Sequence, residues 1–117
     1  METFVVVKKP GEAAVLVEAP PKLDLEFLKV HIGGYIEVFP KRGYISETLD
    51  AVTIFMDEEG ALSGLPDNVA FPIATVVGPI LACLTDEEGD DHGLCREHAE
   101  AVARALDHYA VGPKQPN

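Results

Sequence analysis

Basic residues are scarce in this chain: nine lysines and arginines face twenty aspartates and glutamates in 117 residues, a net charge of −11. An excess of that size excludes general binding to nucleic acid or to an anionic membrane, both of which carry dense negative charge. It leaves a solubilised cytoplasmic protein, a partner of a basic surface, or a mimic of DNA. Cysteine is scarcer still. Cys83 and Cys95 allow one disulfide at most, and a chain without a secretory signal is expected to keep its thiols reduced.

Long hydrophobic runs are missing as well. The apolar stretch at residues 4–7 is too short for the hydrophobic region of a signal peptide, and nothing approaches the ~20 apolar residues of a spanning helix, so a cytoplasmic location is expected. No internal repeat, low-complexity tract or glycine-flanked serine elbow occurs, which removes the usual arrangement for an activated serine. Gly33-Gly34 follows a helical run and precedes a strand, the reverse of the order that presents backbone amides to a phosphate.

What is present predicts one α+β domain over residues 1–112 and a flexible tail over 113–117. Strands are expected at residues 3–8 and 13–18, paired as a hairpin across Pro10-Gly11, and a helix begins near Asp24. In that helix Leu25, Leu28 and Ile32 share a face, and Gly33 stands where a left-handed cap is needed. A strand follows at 35–39, with Ile36 and Val38 on one side and Tyr35, Glu37 and Phe39 on the other. Residues 41–50 read as a mobile loop, 51–56 as a buried strand, 62–71 as an ordered bend ending in a helical turn.

A last long strand spans 76–84, with Gly78-Pro79 marking an edge position or a bulge because proline cannot donate to a ladder. An acidic loop at 86–93 leads into the longest helix, 94–109, whose apolar face holds Cys95, His98, Ala99, Val102 and Leu106. The predicted order is therefore strand, strand, helix, strand, strand, strand, helix. It forms a largely antiparallel sheet of about five strands with two helices on one face. An exposed, interrupted strand at Gly78-Pro79 would also promote a homo-oligomer.

Zinc takes imidazole and thiolate ligands, and His92, Cys95 and His98 recur at intervals of three with Cys83 upstream. That spacing is not a familiar structural zinc pattern, and Cys95 and His98 fall on the packing face, so no metal or other cofactor is expected. A calcium loop fails on position: counting from Glu88, the twelfth residue is Ala99 and the bidentate glutamate is missing. Cys83, within an apolar strand, is expected to be unreactive.

The blocks Gly33-Gly34-Tyr35-Ile36-Glu37, Asp57-Glu58-Glu59-Gly60 and Gly64-Leu65-Pro66-Asp67-Asn68, followed by Gly78-Pro79, resemble a family of small domains of unknown function encoded by phages, plasmids and actinobacterial genomes. The likeness covers residues 25–84, and Asp57 stands where asparagine is commoner. It implies an accessory protein of a mobile element and carries over no catalytic residue. Once turn-forming glycines and prolines are set aside, Tyr35, Glu37, Glu58, Glu59 and Asn68 remain to bind a ligand or partner. The expectation is a non-enzymatic protein that binds a small ligand or a host protein. Two alternatives stand beside it: an acidic inhibitor of a nucleic-acid enzyme, using Asp57 to Glu59 and Asp86 to Asp91, and a metal-dependent enzyme at the Cys/His cluster.

Overall fold

Strand β1 (Phe4–Lys8) is buried at all five positions, so both of its faces are covered. The computed structural model, which describes residues 2–112, shows how. β1 lies between β2 (Val15–Glu18) and β7 (Ile80–Thr85), and the sheet continues through β4 (Thr53–Asp57) to β3 (Ile36–Val38), antiparallel at every pairing. The short β8 (Asp91–His92) pairs with the far end of β7. A separate two-stranded sheet holds β5 (Asp67–Ala70) and β6 (Thr75–Val77).

Period-two geometry sorts the large sheet into two faces. Val6, Ala82 and Ile54 lie in register in one row, and Val7, Leu81 and Phe55 in the next, facing the opposite way. Helix α3 (Arg96–His108) covers the first face with Ala99, Val102, Ala103 and Leu106. Helix α1 (Leu25–Ile32) covers the second with Leu28 and Ile32, against Val5, Val7, Leu81 and Cys83. The two long helices therefore sit on opposite faces of the sheet, not on one. Continuous apolar runs in β1 and β7 demand this, because an uncovered face would leave alternate residues of each in water.

Three further local expectations are revised. Residues 41–50 are not a mobile loop: Ser46 caps the short helix α2 (Glu47–Asp50) by accepting from the Leu49 amide, and Leu49 is fully buried. Lys41 pins this segment by donating to the carbonyls of Leu49 and Val52. The bend at 62–71 ends in strand β5, not a helical turn. Finally, the long strand over 76–84 is two strands in different sheets. Gly78, at φ +74°, is the switch between them, and a side chain there would strike Leu65. The strand after Pro79 is central, so it offers no exposed edge for self-association; among the described residues the edges of the large sheet belong to β2 and β3.

Asp24 caps α1 by accepting from the Phe27 amide, and Gly33, at φ +75°, ends it with its amide on the Lys29 carbonyl. The tail expected over residues 113–117 lies outside the described residues. Among the described residues, no helix is long and apolar enough to cross a membrane.

Candidate functional site at the end of β3 and β4

β3 and β4 are joined at their outer end by the Glu58 amide, which donates to the Tyr35 carbonyl at 2.7 Å, and at their inner end by the Phe39 amide, which donates to the Ile54 carbonyl at 2.7 Å. Bonded pairs alternate along an antiparallel ladder, so the backbone groups of residues 35, 37 and 39 point to β4. Those of Ile36 and Val38 point away from it. The side chains divide similarly: Ile36 and Val38 lie on the α1 side, whereas Tyr35 and Glu37 lie on the other, in line with buried Phe39.

Beyond the strands the chain turns sharply. Asp57 accepts from the Glu59 amide at 2.9 Å through its carboxylate and from the Gly60 amide at 3.1 Å through its carbonyl. Its carboxylate occupies the space a side chain on Gly34 would need, so the double glycine and the acidic turn fit one another. Gly60 is buried against Val77, which holds the turn on the small sheet. Tyr35 is left 64% exposed, and Glu37, Glu58 and Glu59 are exposed around it. Between this end and β6 runs a cleft of about 230 Å³ lined by Phe39, Met56, Glu58, Ala61, Thr75 and Val77. Its volume falls below the ~300 Å³ at which pockets usually begin to enclose a small molecule.

Asn68, the fifth residue expected to bind, is not on this surface. It is fully buried, and its amide group donates to the carbonyls of Lys8 and Gly78, both at 2.8 Å. Its side-chain oxygen accepts from Lys8 Nζ at 3.0 Å. Lys8 is thus a buried cation whose one signal in the sequence is a charged residue closing the apolar run FVVVK. Desolvation pushes its ammonium pKa down from the ordinary 10.5, opposed by the charges of Asp107 and Glu12. With those two residues it lines a separate cavity of about 160 Å³.

The four metal candidates are not brought together. Cys83 is buried in the layer under α1, where desolvation, then Asp91, pushes its thiol up to about 12. Cys95 is exposed at the start of α3, and His98 is half-buried on that helix, across the sheet from Cys83. His92 instead meets Asp86 at 2.7 Å. That contact, followed by the Asp90 amide and then Glu88's, holds the Asp86 carboxyl below its ordinary range. The one group of three or more ligand atoms within 4.8 Å of each other among the described residues is Asp86, Glu88 and Asp90. Asp86 there already accepts from two amides and an imidazole.

The acidic clusters proposed for charge mimicry also lie apart. β4 and β7 are antiparallel, with Phe55 opposite Leu81 and Thr53 opposite Cys83, so Asp57 to Glu59 and Asp86 to Asp91 leave opposite ends of the sheet. About seven residues of strand separate them, roughly 20 Å.

No curated protein and no solved structure matches the chain. A family model does, and it spans residues 1–108 of 117, taking in both faces of the sheet, the β3–β4 end and α3. The chain therefore belongs to the family described as domain of unknown function DUF3846.

Proposed function

We propose that this chain is a non-enzymatic accessory binding protein of a phage or another mobile element, acting in the cytoplasm, and that it takes a small ligand or a host protein at the free end of β3 and β4. One observation carries the reading: Tyr35, 64% exposed, and Glu37 stand on the same side of an edge strand, with Glu58 bonded beside Tyr35 and a shallow cleft next to them. A tyrosine whose carbonyl is pinned to the Glu58 amide at the mouth of β3 offers a large contact area with little rotamer entropy to lose, while the carboxylates supply direction and charge. The resemblance of the Gly33 to Asn68 blocks to phage and plasmid domains supports the biological setting.

Charge mimicry draws less support, since a phosphate-like row needs carboxylates spaced along one face and these clusters are separated by the sheet. A metal-dependent enzyme at the cysteines and histidines draws less again, because Cys83 and His98 lie on opposite sides of the sheet.

The test pairs the native chain with Tyr35→Ala/Glu37→Lys, checked for an unchanged urea midpoint. Each is isolated gently from host cells and weighed by native mass spectrometry. The native chain should carry an added mass that the double variant lacks. Equal retention by both, or none by either, would remove the proposal.

A further inference from the structure

The free edge of β3 offers more than side chains. Its Ile36 and Val38 backbone groups point away from β4, and among the described residues no hydrogen bond outside the β3–β4 ladder engages them. Unpaired groups of this kind form a template for another strand. The two sides of that edge also differ in chemistry. On the α1 side stand Ile36 and Val38, the latter 49% exposed; on the other stand Tyr35 and Glu37, with Glu58 alongside and no lysine or arginine among residues 33–40.

We propose that β3 binds an extended segment of a partner protein by strand addition, and that the segment alternates apolar with basic residues. This rests on the binding reading above and names its partner class. An added strand places successive side chains on alternate faces, so every second residue meets Ile36 and Val38 and the residues between meet Tyr35 and Glu37, with the Glu58 carboxylate one strand further in. The main chain supplies affinity through the Ile36 and Val38 amides and carbonyls, and the alternation supplies specificity. A second copy of this chain is a poor occupant. Antiparallel pairing of β3 with itself about Glu37 sets that carboxylate against its own copy, and each chain carries a net charge of −11.

The probe is a short end-blocked peptide alternating lysine and valine, with a glutamate/valine peptide and a lysine/proline peptide as controls. Binding is followed by amide NMR and hydrogen exchange. The lysine/valine peptide should bind and slow exchange at Ile36 and Val38, and both controls should fail. Val38→Pro removes one outward N–H while leaving the bonded Glu37 and Phe39 positions intact, since an edge strand tolerates proline and Glu37 is already extended. Binding should weaken about tenfold or more. Glu37→Lys/Glu58→Lys provides a second variant if Val38→Pro fails to fold, and should weaken binding comparably.

Several results would overturn the inference: unchanged affinity in a folded Val38→Pro chain, protection at some other strand, equal binding of the glutamate/valine peptide, or no binding at all. Protection of Ile36 and Val38 without peptide, appearing with a dimer in light scattering, would assign the edge to a second copy and overturn it too. If the native chain retains a mass from cells through Tyr35 and Glu37 while the lysine/valine peptide fails, the binding reading stands and strand addition alone is lost.

Discussion

Lys8 and Asn68 hold each other: Nζ of Lys8 donates to the Asn68 side-chain oxygen at 3.0 Å, and the Asn68 amide donates back to the Lys8 carbonyl at 2.8 Å. Two residues sixty positions apart thereby tie β1 of the large sheet to β5 of the small one. The second amide hydrogen of Asn68 reaches the Gly78 carbonyl, at the point where the chain leaves the small sheet for the large. Each bond satisfies a group that burial has removed from water, and the cost of losing one exceeds its modest net contribution when made.

Asn68→Ala should accordingly destabilise the protein by about 3 kcal/mol, because it strands two carbonyls and one ammonium donor at once. Urea unfolding measures the change. A loss below about 1 kcal/mol would mean that water replaces the side chain and that the two sheets are held by apolar packing alone.

Gly34 has a backbone φ of +59° and faces the Asp57 carboxylate where a side chain would go. Gly34→Ala should cost about 1 to 3 kcal/mol, from the left-handed backbone and the overlap together. Asp57→Ala removes the overlap but also the acceptor of the Glu59 amide, so the comparison is between backgrounds: Gly34→Ala should cost less in an Asp57→Ala chain than in the native one. An equal cost in both would mean that the overlap contributes nothing.

Asp86 is held below its ordinary pKa of 3.8, first by His92 and then by the Asp90 and Glu88 amides. A depressed carboxyl stabilises the folded state at pH values above the ordinary pKa, and that contribution disappears as pH falls through the lower folded value. The Glu88 and Asp90 amides should therefore shift in an NMR titration with a midpoint below 3.8. His92→Ala should move that midpoint upward, and an unmoved midpoint would detach the imidazole from the effect.

Thiol reactivity separates the two cysteines. Burial pushes the Cys83 thiol up to about 12, whereas Cys95 is exposed. In native protein near pH 8 a thiol reagent should modify Cys95 rapidly and Cys83 only after denaturant is added. Fast modification of both would show that the layer between α1 and the sheet opens readily.

Much of the fold was legible in short-range pattern. Asp24 and Gly33 bracket α1 as their side-chain and backbone chemistry require, and the valines of β1 announce a buried strand. α2 carries a signal too, Ser46 three residues ahead of Leu49, but a cap inside a polar stretch looks like an ordinary loop. Gly78-Pro79 marks a break in the local pattern, but a break looks the same whether the chain bulges, reaches an edge or changes sheet.

The candidate site divides along the same line. Alternation along a strand is local, so residues 35–38 alone place Tyr35 and Glu37 on the side opposite Ile36 and Val38, and Gly33 alone marks the helix stop. Which partner each strand takes depends on contacts between residues far apart in the chain, which no local period encodes. That β3 is an edge with outward backbone groups, and that the helices divide between two faces, follows from the long-range pairing of the folded chain. The tertiary structure also sets Asn68 inside, bonded to Lys8, and Glu58 beside Tyr35, because those neighbours are made by strand pairing and burial.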